Sequence, residues 1–246
     1  MNNRFLKIFT IIAICTFFAA SCDGDTSALE TPNTSETPTN AGAISYKNFS
    51  LLASDTQPKV IDPATGIFTK TDVTMTVFIG DRHNQILTDK HTIYFRTEYG
   101  TISPSCITEN GFCEVTWSAI KRPEAGGPGD DLLVTIVAYT VGEESFTDTN
   151  GNGIFDDDDG TVFVDLEEPY VDANENDVYD FGEDIIDVVN GNDLTGINGV
   201  HDIGDSFFNG AGCTHSSLCS TLVITNAIIW DSNTLKIDGP PVVPVP

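Results

Sequence analysis

Residues 73–81, with the sequence VTMTVFIGD, alternate large apolar side chains mostly with threonine and end in a Gly-Asp pair that is typical of a turn. A period of two places every second side chain on the same face, so this stretch predicts a β-strand with one buried face. The same alternation occurs in residues 92–100 (TIYFRTEYG) and 113–117 (CEVTW). Residues 132–140 form a nearly continuous apolar run, which suits a central strand. Turn-forming residues separate these runs, and about seven short strands over about 100 residues predict an all-β sandwich from residue 43 to 141.

Taken in order, these segments resemble the bacterial immunoglobulin-like domains of the invasin and intimin type, known as Big-1. The resemblance implies an immunoglobulin-like fold with a structural or adhesive role and no enzymatic activity. A cysteine on either side of the predicted hairpin departs from the family pattern. The segments that carry the resemblance are a strand with an Asp-x-x-Asn turn, a strand ending in glycine, a hairpin and a final apolar strand, at residues 73–84, 92–100, 108–116 and 134–138.

Charge is distributed unevenly along the chain. The 246 residues include 37 acidic and 11 basic side chains, for a formal net charge of −26, and residues 143–205 alone hold 20 acidic side chains and no Lys or Arg. This balance excludes nucleic-acid binding as the main role, because that function requires clustered Lys and Arg. It also disfavours docking on anionic lipid through a basic surface. We therefore expect no nucleic-acid partner, and an acidic segment that needs cations to neutralise it.

Within the acidic segment, residues 144–159 (ESFTDTNGNGIFDDDD) align with residues 168–183 (EPYVDANENDVYDFGE) at an offset of 24 residues. Five of the 16 positions are identical, and four of these fall where a twelve-residue Ca²⁺ loop places oxygen ligands. Position 6 needs left-handed backbone, which Gly153 supplies and Asp177 tolerates. A solvated acidic linker is the alternative, but a linker has no reason to repeat this spacing. The predicted Ca²⁺ ligands are Asp148, Asn150, Asn152, Ile154 (by its carbonyl), Asp156 and Asp159 in loop one, and Asp172, Asn174, Asn176, Val178 (by its carbonyl), Asp180 and Glu183 in loop two.

A third copy of the loop, in residues 198–205, retains positions 5–12 only. Its positions 1 and 3 fall on Leu194 and Gly196, whose side chains cannot bind a cation. The sequence therefore predicts a degenerate loop three and leaves open whether it binds metal. The candidate ligands of loop three are Asn198, Val200, Asp202 and Asp205.

The loops resemble the EF-hand-like calcium repeats of dockerins and of thrombospondin type 3, which implies Ca²⁺ as the bound ion. Dockerins place a helix after each loop, and this chain departs from that pattern. Residues 161–164 (TVFV) and 185–189 (IIDVV) are short and rich in β-branched side chains, and Pro169 prevents a long helix between the loops. We therefore expect short extended segments between the loops.

The N-terminus predicts export to the cell envelope. Two basic residues precede a mostly apolar run over residues 8–20, which is shorter than the about 20 residues of a membrane span and is typical of a secretory signal. Residues 19–22 (AASC) resemble the lipobox of bacterial lipoproteins, which implies removal of residues 1–21 and acylation of Cys22. A plain signal peptide with an incidental cysteine is the alternative. Residues 22–42 have almost no large apolar groups and predict a flexible tether.

Four further cysteines, an even number, are consistent with disulfide bonds in an exported protein. Three pairings are open, and sequence proximity favours the two nearest-neighbour pairs. A four-residue turn over residues 108–111, with Gly111 in the left-handed region, predicts that the first pair lies directly opposite on a hairpin. A metal or redox site of the CxxC type is the alternative, and neither spacing suits it. The favoured pairs are Cys106 with Cys113 and Cys213 with Cys219.

These observations predict a non-catalytic lipoprotein of the cell envelope, held on a membrane by its N-terminal lipid. The immunoglobulin-like sandwich would have a structural or adhesive display role toward a protein or cell-surface partner of unknown identity. The acidic module at residues 142–211 would be made rigid by Ca²⁺. A closing strand within residues 218–229 and a Pro-rich tail would complete the segment 212–246. Two alternatives stay open: a dockerin-like module that docks another protein, and a hydrolase with a carboxylate site between the modules. The membrane and the face that carry the protein also stay open.

Overall fold

Two antiparallel sheets enclose a shared apolar core in the computed structural model, which describes residues 42–62, 64–187, 197–220 and 227–237. The predicted all-β class is confirmed. No α-helix occurs in these described ranges, and no helix there is long and apolar enough to cross a membrane. The strands are β1 (Phe49–Ala53), β2 (Thr71–Ile79), β3 (Thr92–Thr97), β4 (Thr101–Ile102), β5 (Ser105–Ile107), β6 (Phe112–Ala119), β7 (Leu133–Gly142), β8 (Tyr170–Val171), β9 (Asp184–Ile185) and β10 (Ala227–Lys236), with short 3₁₀ turns at Tyr46–Asn48 and Asp157–Asp159.

Alternating apolar residues form the core between the sheets. The first sheet has the order β1-β2-β6-β4 and the second β10-β7-β3-β5, while β8 and β9 form a separate pair. The alternation predicted for β2 is observed, because Val73, Met75 and Val77 are at most 1% exposed and Trp117 of β6 is fully buried. The apolar run predicted as a central strand is β7, which lies between β10 and β3. Burying one such side chain contributes about 1.5–3 kcal/mol, so this core is the main source of stability.

The last strand of the sandwich comes from beyond the acidic segment. β10 pairs with β7 along its whole length, and Ala227 lies opposite Gly142, where the acidic segment begins. The acidic segment is therefore an insertion between two neighbouring strands of one sheet, and the sandwich is not complete at residue 141 as the sequence predicted. The closing strand was predicted within residues 218–229, and the structure describes it as Ala227–Lys236, with residues 221–226 outside the described residues.

The disulfide between Cys106 and Cys113 joins the two sheets, with an S–S distance of 1.97 Å. Cys106 lies in β5, which pairs with β3, whereas Cys113 lies in β6, which pairs with β2. The prediction that the two cysteines lie opposite each other on one hairpin is wrong, because β5 and β6 belong to different sheets. The chain crosses between the sheets through a two-residue turn at Asn110 and Gly111, with φ values of 54° and 83°. The left-handed conformation predicted for Gly111 is confirmed.

Several sequence predictions concern segments outside the described residues. These are the signal peptide at 1–21, acylation of Cys22, the tether as far as residue 41, and the Pro-rich tail at 240–246.

Candidate calcium sites

A buried ion pair fastens the acidic insertion to the sandwich. Arg82, in the turn after β2, donates from Nε to Glu143 Oε1 at 2.7 Å and from Nη2 to the other carboxylate oxygen. The two side chains are 6% and 1% exposed. Arg82 also donates to the backbone carbonyls of Gly153 at 2.8 Å and Ala211 at 2.9 Å. One guanidinium therefore holds the start of the insertion, its first loop and its last residues together.

Loop one, residues 148–159, is held by the carboxylates at its first and last positions. The position-1 carboxylate accepts the backbone N–H groups of positions 5 and 6, and the position-12 carboxylate accepts those of positions 2 and 9. The side-chain oxygen of position 5 accepts the N–H of position 7. The distances are 3.1 Å from Asn152 N to Asp148 Oδ1, 2.9 Å from Gly153 N to Asp148 Oδ2, 2.7 Å from Thr149 N to Asp159 Oδ1, 3.1 Å from Asp156 N to Asp159 Oδ2 and 2.7 Å from Ile154 N to Asn152 Oδ1.

Loop two, residues 172–183, repeats all five of these hydrogen bonds. Asp177 at position 6 has a φ of 62°, close to the 73° of Gly153, so the predicted left-handed conformation is confirmed. The shared bonds mean that the alignment of the two sequences is also an alignment of their backbones. The distances are 3.2 Å from Asn176 N to Asp172 Oδ1, 2.7 Å from Asp177 N to Asp172 Oδ2, 2.9 Å from Ala173 N to Glu183 Oε1, 2.8 Å from Asp180 N to Glu183 Oε2 and 2.8 Å from Val178 N to Asn176 Oδ1.

The side chains at positions 3, 5 and 9 contact one another in both loops. In loop one, Nδ2 of Asn150 and Nδ2 of Asn152 donate to Asp156 at 3.2 and 2.7 Å, and loop two has the same contacts at 2.8 and 2.7 Å. The hydrogen bond from the Asn152 side chain lowers the pKa of Asp156 most, and the bond from the backbone N–H of Asp158 lowers it further. This carboxyl is therefore ionised at neutral pH. A half-turn of each amide would present its oxygen instead of its nitrogen, as a cation beside the same carboxylate requires.

The donor chemistry of the loops fits Ca²⁺. Each loop offers carboxylates at positions 1, 9 and 12, amide oxygens at positions 3 and 5, and a backbone carbonyl at position 7, which is the oxygen-only set that Ca²⁺ takes. Throughout the described part of the chain, no three His, Cys, Asp or Glu side chains already converge as a metal-binding group.

Loop three has an acidic residue at position 1 that its contiguous sequence lacks. Asn198 and Gly199, at positions 5 and 6, both donate backbone N–H groups to Asp187, and Asn198 N lies 3.1 Å from Asp187 Oδ2. In loops one and two, positions 5 and 6 donate to the position-1 carboxylate. Asp187 therefore occupies position 1, which the sequence alignment assigned to Leu194, a residue outside the described ranges. Loop three is split rather than degenerate at this position.

The position-12 carboxylate of loop three also comes from elsewhere in the chain. Asp202, at position 9, donates its N–H to Glu168 Oε2 at 3.1 Å, the bond that the position-12 carboxylate accepts in loops one and two. Asn198 Nδ2 donates to Asp202 at 2.8 Å and Val200 N donates to Asn198 Oδ1 at 2.6 Å, as in the other loops. Asp205, which the sequence placed at position 12, does not accept the N–H of Asp202. Glu168 takes this role instead.

Aromatic residues at position 8 pair loop two with loop three. His201 of loop three stacks on Tyr179 of loop two, with ring centroids 4.2 Å apart and an interplanar angle of 14°. Strands β8 and β9 join the same two loops, because Tyr170 and Ile185 each lie two residues before position 1 and are directly paired. The two loops therefore form one packed unit.

The disulfide between Cys213 and Cys219, with an S–S distance of 2.03 Å, closes a short segment beside loop one. Within this segment the ring of His215 stacks on Phe155, the position-8 residue of loop one, with centroids 5.1 Å apart. His215 Nδ1 also lies 3.5 Å from a carboxylate oxygen of Asp157. The disulfide-bonded segment therefore packs against loop one.

The carboxylates that line one cavity of the sandwich are engaged in structural bonds. This cavity, of about 260 Å³, is lined in part by Glu98 and Glu124. Glu98 accepts the backbone N–H groups of Gly129 at 2.7 Å and Thr135 at 3.2 Å, and Glu124 pairs with Lys121 at 2.9 Å. Both carboxylates therefore hold loops of the sandwich in place.

Sequence reasoning missed Arg82, Asp187 and Glu168. Glu168 had a signal, because the repeat begins with a glutamate in both copies, at residues 144 and 168, outside the twelve-residue loops. Asp187 and Arg82 had none, since their partners lie 11 and 61 residues away along the chain.

Comparison with protein-family models, with curated proteins and with solved structures finds no match to this chain. The resemblances to Big-1 domains and to EF-hand-like repeats therefore rest on the motifs quoted above.

Proposed function

We propose that residues 142–211 bind Ca²⁺ in loops one to three, and that the protein is a non-catalytic, lipid-anchored protein of the bacterial cell envelope. Its sandwich would serve a structural or adhesive display role, with Ca²⁺ holding the insertion rigid against it. The observation that carries this proposal is the hydrogen-bond pattern at positions 1, 5, 6 and 9 that the three loops share, two of them contiguous and one split.

Electrostatics supports a cation as the ligand. The insertion has 20 acidic and no Lys or Arg side chains between residues 143 and 205, and such a density of like charge favours an expanded chain unless counter-ions bind. Asp156 and Asp180, at position 9 of their loops, each have a pKa lowered by neighbouring Asn amides and therefore carry their charge at neutral pH. Only oxygen atoms are offered as ligands, which favours Ca²⁺ over transition metals.

Mechanical coupling to the sandwich supports the structural role. Gly153, at position 6 of loop one, accepts a hydrogen bond from Arg82, which itself pairs with Glu143 directly after β7. An ion that orders loop one would thereby stabilise the junction between the insertion and the sheet. Calcium would act as a structural element that fixes the orientation of the insertion relative to the sandwich.

The test is a calcium titration of the full chain and of the variant Asp148→Ala with Asp172→Ala. We expect dissociation constants of about 10⁻⁴–10⁻³ M or tighter, which is the range of extracellular calcium modules. At 100 times the dissociation constant, each site should add about 2.7 kcal/mol to the free energy of unfolding of the unit it orders, and the variant should lose most of this gain. Thermal unfolding and protease resistance in Ca²⁺, Mg²⁺ and chelator measure the effect.

A matched control removes two exposed carboxylates of the same insertion, Asp158→Asn with Asp184→Asn, and should keep the calcium response. If chelator changes neither unfolding nor proteolysis of the wild-type chain, and calorimetry detects no heat of Ca²⁺ binding, the insertion is a solvated acidic linker.

Exposed apolar side chains on the paired loops favour calcium-dependent docking of a protein as a second candidate function. Val178 and Val200, both at position 7, are each 62% exposed. Phe181 and Ile203, both at position 10, are 102% and 76% exposed. If this surface docks a partner, Phe181→Ser with Ile203→Ser should abolish chelator-sensitive capture of the partner and leave Ca²⁺ affinity unchanged.

A further inference from the structure

Residues 165–166 and 205–207 meet beside the end of β7 and reproduce the first half of a loop, to which Asp205 belongs because Glu168 takes its predicted place in loop three. Ser206 donates its backbone N–H to Asp165 Oδ2 at 3.0 Å, as position 6 donates to the position-1 carboxylate in loops one and two. Phe207 N donates to Asp205 Oδ1 at 2.8 Å, as position 7 donates to position 5. Ser206 has a φ of 66°, the left-handed value of position 6 in the other loops. Asp165 thus corresponds to position 1 and residues 205–207 to positions 5–7.

Glu144 closes this arrangement in the manner of a position-12 residue. Its Oε1 accepts the N–H of Leu166, which directly follows Asp165 and so corresponds to position 2, at 2.9 Å. Its Oε2 accepts the N–H of Asn209, which corresponds to position 9, at 2.8 Å. Asp159 and Glu183 make this same pair of bonds in loops one and two. The glutamate that begins the second repeat, Glu168, accepts the position-9 bond of loop three.

Two oxygen atoms in this cluster are buried without a hydrogen-bond partner. They are Asp205 Oδ2 and Asn209 Oδ1, and Asn209 as a whole is 0% exposed. Asn209 lies inside the cluster, because its backbone N–H donates to Glu144 and its Nδ2 donates to Asp205 Oδ1 at 3.1 Å. A buried oxygen without a partner costs free energy, so each such atom points to a ligand.

This cluster holds three acidic side chains, Glu144, Asp165 and Asp205, within a segment that has no Lys or Arg. A water molecule would satisfy the two free oxygens but would bring no positive charge. A divalent cation would satisfy the same oxygens and neutralise carboxylates beside them.

We propose that Asp165, Asp205, Asn209 and Glu144 form a fourth Ca²⁺ site, assembled from three separate segments of the chain. It rests on the proposed function in one respect, since the identity of the ion is inferred from the likeness to loops one and two. The free carboxylate oxygen of Asp205 takes the place of the position-5 amide, and the Asn209 amide takes the place of the position-9 carboxylate. Positions 5 and 9 therefore carry Asp and Asn, the reverse of loops one and two, and all the atoms that would bind the ion are still oxygens.

The fourth site packs against loop one in the same way that loop three packs against loop two. Phe208, at position 8, packs on Phe155 with ring centroids 4.9 Å apart. Phe146 and Phe163, each two residues before position 1, form a β-bridge, as Tyr170 and Ile185 do in the other pair. The insertion is therefore two related units, each with one contiguous and one split loop. An ion in the fourth site would tie together the beginning, the middle and the end of the insertion.

The test compares the full chain with the variant Asp165→Asn plus Asp205→Asn, which keeps side-chain size and removes two charges. Bound Ca²⁺ per chain is counted by equilibrium dialysis, with Asp158→Asn plus Asp184→Asn as the charge-matched control and Asp148→Ala plus Asp172→Ala as the loop variant. We expect the fourth-site variant to bind one ion fewer than the control. Thermal unfolding in chelator supplies a second measurement: because like-charge repulsion is removed, the variant should unfold at the same or a higher temperature than the wild type, yet gain less from Ca²⁺.

Equal Ca²⁺ stoichiometry in the fourth-site variant and the control would overturn the fourth site, as would a variant that is destabilised in chelator and gains as much from Ca²⁺ as the wild type. The proposed function fails separately. If the loop variant binds as many ions as the control while the fourth-site variant loses one, loops one and two are not calcium sites but the fourth site stands. If the wild type binds no Ca²⁺, both proposals are refuted.

Discussion

Replacing Arg82 by methionine should destabilise the protein far more than the loss of any exposed charge. Methionine has a similar length and no charge, so Glu143, whose side chain is 1% exposed, would stay buried and lose the guanidinium that pairs with it. The backbone carbonyls of Gly153 and Ala211 would lose a donor as well. The perturbation therefore leaves a buried carboxylate and two carbonyls without their present partner at the junction of insertion and sandwich.

The size of the effect follows from burial. Removing one partner of a buried ion pair costs about 3–5 kcal/mol, because the remaining charge is desolvated without compensation. Each hydrogen bond lost at a carbonyl adds about 1 kcal/mol where water does not replace the donor. Together these losses amount to about 5–7 kcal/mol, which is comparable to the total stability of a marginal domain, about 5–15 kcal/mol. We expect the Arg82→Met variant to have an unfolded or largely disordered insertion at 37 °C.

Urea unfolding, followed by the fluorescence of buried Trp117 and by proteolysis of the insertion, measures this effect in saturating Ca²⁺ and in chelator. The control is Lys90→Met, because Lys90 and Glu109 form a pair at 3.3 Å whose side chains are 70% and 73% exposed, and its loss should cost less than about 1 kcal/mol. Adding Glu143→Leu to Arg82→Met should restore much of the stability, since the uncompensated charge is the main penalty. Equal effects of Arg82→Met and Lys90→Met would refute this reasoning.

Three further predictions concern the anchor, the disulfide and the pH dependence. Cys22→Ser should release the protein from the membrane fraction, and unchanged sedimentation with membranes would contradict acylation. Replacing Cys106 and Cys113 together by alanine should lower the free energy of unfolding by about 2–2.5 kcal/mol, the chain-entropy value for a sequence separation of 7, as measured by urea unfolding; no change would show that the bond does not constrain the unfolded chain. Burial raises the pKa of Glu98 above its ordinary 4.5. Between the unfolded and the folded pKa, the folded chain therefore holds a proton that the unfolded chain has released, and the free energy of unfolding falls as the pH rises through the folded pKa. Glu98→Gln should therefore flatten the loss of stability above pH 4.5 in unfolding experiments, and an unchanged slope would assign that loss to other groups.

Local pattern was sufficient for strands β2, β3, β6 and β7 and for the shared backbone of loops one and two. The alternation in residues 73–81 predicted β2, observed at Thr71–Ile79, because a period of two is a property of consecutive residues that needs no knowledge of the partner strand. In loops one and two, all the predicted ligand positions lie within twelve consecutive residues, so their spacing can be read directly. The left-handed conformation of Asp177 followed in the same way from its position in the loop.

Contacts between distant segments could not be read from such patterns. β10 completes the sheet beside β7 only because the chain returns to the sandwich after the insertion. Cys106 and Cys113 link two sheets because β5 pairs with β3 whereas β6 pairs with β2. The split loops also depend on segments that are distant in sequence. Asp202 donates its backbone N–H to Glu168, 34 residues away, and Asn209 donates its backbone N–H to Glu144, 65 residues away. A carboxylate that completes a loop from so far away has no fixed spacing in the sequence. Its position is set by the packing of paired aromatic rings and strands, which exists only once the chain has folded.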